Sequence, residues 1–174
     1  MENVIVFIIC AALIIFGGMT MSQNFLSSVD NNSTSFARME ERDISIFRSA
    51  LSAVRVTEPT AADIEVTIRN TGQTKFRNFD KWDMIVQYTD EDNAYHVKWL
   101  PKVAGTPGDD QWSVKGIYMN AQLGTPEVFD PGILNAGEEI VVQAKLNPSV
   151  KTGATNMVAV SAENGTETSI IFSS

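Results

Sequence analysis

The chain of 174 residues is poor in the residue types on which site chemistry depends, with one Cys and one His. A single cysteine, Cys10, excludes an intrachain disulfide, so any globular part must be held by its own core. One Cys and one His cannot make a zinc quartet. A nucleophilic triad needs a nucleophile, a base and an orienting acid held together, and no nucleophile is singled out near His96. No catalytic residue is assigned. Glycines form no phosphate cradle, so no cofactor-binding motif is assigned either. The turn Asp90-Glu91-Asp92 lacks the Gly and the distant bidentate Glu of a calcium loop, and Asp109-Asp110 sits in a loop of its own. Both groups read as solvated turn acids, and no metal site is assigned. Basic residues are scarce too: 13 Lys and Arg against 21 Asp and Glu leave a net charge of -8. That balance argues against nucleic acid, where basic clusters supply the affinity.

Charge is missing altogether from Asn3 to Val29. Within that stretch Val4 to Phe16 is unbroken apolar sequence, followed by Gly17, Gly18, Met19, Thr20 and Met21. Read as a helix, Val4 to Met21 spans about 27 Å, close to the thickness of a bilayer core. The segment is therefore long enough to sit in a membrane. Neither Lys nor Arg precedes the run, and no small-x-small site closes it, which weakens the reading as a cleaved signal. The missing basic flank leaves two expectations, Met1 as the first mature residue after removal of a short leader or Met1 as the initiator of an atypical anchor. Cys10 reads as a small apolar residue in this setting. Gly17 and Gly18 are either positions where helix backbones approach closely or a local kink tolerated in an apolar helix.

The apolar pattern continues past the charge-free stretch. Phe25, Leu26 and Val29, then Phe36 and Met39, then Ile44, Phe47, Leu51 and Val54 recur at helical spacing. The polar stretch from Asp30 to Ser35 interrupts them, so the segment reads as one helix with a weak point or as two, the second capped by Ser33 or Ser35. Glu58-Pro59 is expected to end the helical part, because the residue before Pro is pushed out of the α region. Residues 1–56 are thus expected to be a helical arm and residues 57–174 a separate head.

Beyond Pro59 the period changes to two. Ile64, Val66 and Ile68 alternate with polar residues, as do Trp82, Met84, Val86 and Tyr88, then Tyr95, Val97 and Trp99. Further strands are expected over 113–119, 139–146, 156–162 and 166–172, with Asn164-Gly165 as a hairpin turn between the last two. Seven short strands with turn residues between them predict an antiparallel β-sandwich. The alternation places Trp82 and Trp99 in the core and His96 on a polar face; Trp112, next to a loop, is the Trp expected at the surface. Asn31, Asn32 and Asn164 stand in Asn-x-Ser/Thr triplets, acceptors for glycans if the head is exported.

The charge-free run Asn3–Val29, its amphipathic continuation, and a sandwich containing Val66-Thr67-Ile68-Arg69-Asn70-Thr71-Gly72 and Leu134-Asn135-Ala136-Gly137-Glu138-Glu139-Ile140 together resemble the archaeal flagellins, or archaellins, of the type IV pilin-like superfamily. The closing hairpin Val158–Phe172 adds to the likeness. The resemblance implies an α+β chain with a long hydrophobic N-terminal helix and an antiparallel Ig-like β-sandwich head. It implies a subunit held in the cytoplasmic membrane, processed by a prepilin-type peptidase and passed by assembly machinery into an extracellular homopolymer of identical subunits. The polymerising helix would present Val4, Phe7, Ile8, Leu13, Phe16, Gly17, Gly18, Phe25, Leu26, Ile44, Phe47 and Leu51. Pilins of this superfamily carry Glu at the fifth mature position, where this chain has Ile5. A membrane-anchored archaellum stator with the same plan is the nearest alternative, a signal-anchored surface-binding module the next, and an enzyme the most distant.

Overall fold

The computed structural model describes residues 2–174, without the side chains of residues 2, 3, 24–26, 31 and 32. Phe25, Leu26, Asn31 and Asn32 therefore lie outside the described residues. The chain forms two compact units, residues 1–43 and 44–174.

One unbroken helix, α1, runs from Glu2 to Phe47. The polar stretch does not break it, and the two-helix alternative is not realised. Thr34 Oγ1 donates to the carbonyl of Asp30 one turn back, 2.9 Å, so a residue able to cap a new helix instead satisfies itself along the existing one. Thr20 does the same towards Phe16 and Gly17.

The helix ends nine residues short of Val56. Arg48 and Ser49 close the last turn onto Ile44 and Ile46, and Leu51–Thr57 is a strand, β1. This corrects the expected helical arm, and Leu51 and Val54 with it. The spacing of 44, 47, 51 and 54 suits a helix, but Val54, Val56 and Thr57 are β-branched. Long-range pairing decides the matter. β1 lies antiparallel to β2 (Asp63–Asn70), from Leu51 opposite Asn70 to Thr57 opposite Glu65, with an irregularity between Ala53 and Arg55. Leu51 and Val56 then pack against the head core.

A glycine makes the crossing possible. The amides of Thr71 and Gly72 both donate to Ala50 O, at 2.9 and 3.0 Å, and Gln73 N donates to Arg48 O at 2.8 Å. A Cβ on Gly72 would stand 2.4 Å from Ala50 N and 2.6 Å from Arg48 O. The turn that closes β2 is thus also the seat of the chain leaving α1.

The head continues with β3 (Asp83–Thr89), β4 (Tyr95–Leu100), β5 (Gln111–Asn120), β6 (Thr125–Pro126), β7 (Glu139–Lys145), β8 (Thr155–Ser161) and β9 (Glu167–Ser173). Two antiparallel sheets result, ordered β1-β2-β7-β5-β6 and β4-β3-β8-β9. All seven strands expected from the sequence are present, and β1 and β6 are additional. The chain is α+β, a long helix followed by a β-sandwich, as the resemblance implies. Ile64, Val66 and Ile68 of β2 and Ile140, Val142 and Ala144 of β7 face Met84, Val86 and Tyr88 of β3 and Val158 and Val160 of β8 in one core. Trp82 belongs to it as expected, edge-on to Phe76 at 5.6 Å.

Candidate assembly surfaces

Two regions present apolar surface that the fold itself does not cover. The first is α1. Val4, Phe7, Ile8, Leu13 and Phe16 are all exposed, and farther along so are Phe36, Met39, Ile44 and Phe47. Gly17 and Gly18 have open space where a Cβ would stand, so they act on nothing within this chain. The helix is long and apolar enough to cross a membrane. Its exposed apolar side chains extend some twenty-five residues beyond Met21, farther than a bilayer core accounts for.

The second region arises where the sequence reading of β4 is overturned. Tyr95, Val97 and Trp99 do not enter the core; they are 64%, 60% and 59% exposed. The β3–β4 register forces this. Tyr88, Val86 and Met84 stand opposite His96, Lys98 and Leu100, and directly opposed residues share a face of the sheet. Since Tyr88, Val86 and Met84 are buried, His96 and Lys98 must point inward and the residues between them outward. The turn sets that parity: Asp90 N donates to Ala94 O, and Asn93 takes a left-handed φ of 65°.

Each inward polar side chain has an ionic partner. His96 Nε2 lies 2.7 Å from Asp90 Oδ2, with the ring stacked on Tyr88 at 5.0 Å. Asp90 Oδ1 also accepts the amides of Asp92 and Ala94, at 2.9 and 2.8 Å. The His96 hydrogen bond, joined by those amides, holds the Asp90 carboxyl below its ordinary range. Lys98 Nζ donates to Asp110 Oδ2 at 2.6 Å and to the carbonyl of Asn147. Burial is the largest influence and works against the Lys98 charge, but Asp110 and Tyr88 together outweigh it and the ammonium is held above its usual pKa.

The outward face is ordered by its own hydrogen bonds. Trp99 Nε1 donates to Asp83 Oδ1 at 2.9 Å, and the Tyr95 hydroxyl donates to Gln87 Oε1 at 2.8 Å, so both aromatic side chains are tied to β3. Ile85 stands opposite both Trp99 and Ala159, and Gln87 opposite both Val97 and Met157. Met157 in turn opposes Ile171, which is exposed. Apolar side chains therefore run across all four strands.

Other sequence expectations find different places. Trp112, expected at the surface, is fully buried at the start of β5. It pairs with Ala144 of β7, whose inward side it shares. Asp109 is engaged with Lys145 at 2.6 Å, and among the described residues no group of three or more His, Cys, Asp or Glu converges on a point. Asn164 lies in the β8–β9 turn, but its amide nitrogen donates to Ser49 Oγ at 2.7 Å. A glycan there would leave one amide hydrogen for that bond.

No family model matches the chain, and no curated protein matches it significantly. Solved structures do share its fold. A chain of the archaellum periplasmic stator complex of FlaF and FlaG from Sulfolobus acidocaldarius matches with a TM-score of 0.51 at 13% identity, over 70% of this chain and 87% of that one. The stator protein FlaG from the same organism gives 0.51 at 12%, over 71% and 99%. The archaeal flagellin FlaB1 from Methanocaldococcus jannaschii gives 0.50 at 13%, over 72% and 90%. The chain thus has the fold shared by archaellins and archaellum stator proteins.

Proposed function

We propose that this chain is a structural, non-catalytic subunit of an archaellum-type assembly, a homopolymer built through α1 with the sandwich as its outer head. One observation carries the reading: α1 exposes apolar side chains over far more than a bilayer's thickness. Val4 to Met21 can be satisfied by lipid, but Phe36, Met39, Ile44 and Phe47 cannot be covered by the same bilayer core. Copies of the same helix are the natural cover. At roughly 25 cal/mol per Å² of apolar area, bundling a helix of this kind is worth tens of kcal/mol before ordering costs. No covalent link between subunits is then needed. In this reading the membrane holds the chain before assembly, a prepilin-type peptidase and the assembly machinery handle it, and the mature form lies in a filament outside the cell, with glycans as optional additions. Likeness to a flagellin and a sequence pattern of the archaellin kind support it.

A stator role is the second reading. It is supported by the likeness to FlaG and to the FlaF–FlaG complex, and by the fact that Leu51 and Val54 serve the head and not the helix. Mass spectrometry of sheared, purified surface filaments separates the two. The filament reading expects this chain as their major component. Its absence there, alongside abundance in the envelope fraction, assigns it to the stator class.

A further inference from the structure

We propose that the outer face of the β1-β2-β7-β5-β6 sheet carries a groove that binds an acidic sugar, a ring bearing a carboxylate and hydroxyls. The groove is a cavity of about 300 Å³, at the small end of the range for small-ligand sites. Val54 and Arg55 of β1 and Arg69 of β2 form one wall. Asn120 at the end of β5 and Gln122 just beyond it form the other, with Thr67 of β2 and Glu139 of β7 between them.

A bulge delivers Arg55 to this face. Ser52 stands opposite Arg69 and Ala53 opposite Ile68, so strict alternation would set Val54 opposite Thr67 and turn Arg55 towards the core beside Val66. The register shifts instead, and Arg55 stands opposite Thr67 on the outside. Bulges recur next to active sites, where they re-aim a side chain in this way. Once there, the Arg55 guanidinium has no hydrogen bond or ion pair among the described residues. Arg69 is held in place: its Nε and Nη2 donate to Glu139 Oε1 at 3.1 and 2.6 Å, and Ala121 N donates to Glu139 Oε2 at 2.7 Å. The Glu139 charge is thereby answered. Arg55 then leaves the groove with a net positive charge, on a chain whose own balance is -8.

Thr67 is an independent sign of a ligand. It is 5% exposed, lines the groove, and its hydroxyl makes no hydrogen bond among the described residues. Buried hydroxyls are ordinarily satisfied; this one is left for whatever enters the groove.

The layout of the walls selects the ligand. Strands about 4.8 Å apart set β1 and β5, three steps across the sheet, roughly 14 Å from one another. A bare carboxylate or inorganic anion meets only the cationic wall. A sugar acid meets both, its carboxylate on the guanidiniums and its hydroxyls on the amides. Asn120 Oδ1 accepts Leu123 N at 3.0 Å, which leaves the Asn120 amide nitrogen to donate. Gln122 is exposed and unpartnered among the described residues. Glu139, between the walls, repels a second anion but accepts sugar hydroxyls. The groove belongs to the head alone and serves equally in a filament subunit or a stator.

The test titrates the full chain, in micelles of an uncharged, sugar-free detergent, with glucuronate, galacturonate, glucose and glutamate, and follows binding by saturation-transfer NMR. We expect at least one uronate to bind, with an affinity that falls as salt is raised, and glucose and glutamate to bind much more weakly. Arg55→Gln should weaken the uronate roughly tenfold or more, and Gln122→Ala several-fold. Neither side chain has a partner in the fold, so head unfolding should stay as in the parent. Thr67→Val should also weaken binding. Glutamate binding as tightly as the uronates would make the groove a seat for acidic protein side chains and overturn the sugar assignment. Glucose binding as tightly would remove the carboxylate from the recognition and overturn it too. Failure of both uronates to bind, or binding indifferent to Arg55→Gln and Gln122→Ala, would overturn the site.

Discussion

The helix and the head dispose of apolar side chains in opposite ways. In α1 the described large apolar side chains are exposed from one end of the helix to the other. In the head most of them are drawn into one core between two sheets, with Phe76, Trp112, Leu134 and Ile140 fully buried, the outward residues of β4 being the main exception. An element that leaves its apolar side uncovered is stable only where lipid or other chains cover it. The head's core needs neither. The same hydrophobic effect thus makes one part of the molecule dependent on its surroundings and the other self-sufficient, and a substitution should report which part it strikes.

The largest contrast is expected from a charge in α1. Leu13→Asp should abolish assembly, because an unpaired carboxylate in an apolar bundle is expensive, while the head melts as in the parent. Filament yield and head unfolding, measured on the same variant, check both halves. Membrane insertion is followed separately by fractionation, and normal filaments would remove α1 from the shared core.

Leu134→Ala is the converse. A fully buried side chain is truncated, which should cost the head about 2–5 kcal/mol in denaturant unfolding. The boundary between the regions can be probed at neighbouring residues. Leu51→Ser should lower head stability because Leu51 packs on the core, whereas Phe47→Ser should leave the head unchanged and weaken assembly. Equal effects of the two would return the helix boundary to Val56. Gly72→Ala belongs to the same junction. Its Cβ would overlap the backbone of residues 48–50, and a loss of about 1–3 kcal/mol is expected, with no change in helix content.

The smallest effect concerns Asp90, whose carboxyl is held below its ordinary range chiefly by His96. A group with a lowered folded pKa contributes stability that is fully present above its unfolded pKa of about 3.9, and loses it as pH falls through the folded value. Asp90→Asn should therefore destabilise the head at pH 7, and the gap from the parent should narrow in the acid range below about pH 4. A gap that is constant across that range would mean that the turn geometry, and not the carboxylate charge, is what Asp90 supplies.

Much of this was legible in the chain itself. A charge-free stretch of this length carries its apolar character in its own residues, so the apolar helix is local information. The period-two strands and the turn residues between them are local too, and they gave the sandwich. Two things were not local. Residues 51–57 carry a helical spacing and β-branched side chains at once, and the choice fell to the open edge of β2 and to the space left by Gly72. On β4 the apolar residues alternate as a core strand would, yet the register imposed by the turn from Asp90 to Ala94 turned them outward. Alternation in a sequence says that two faces differ; which one looks inward is decided by the partner strand, because opposed residues share a side. The sequence by itself therefore determined that this chain has an exposed apolar helix and a β-sandwich, while the tertiary pairing decided where the helix stops and which aromatic residues the head leaves outward.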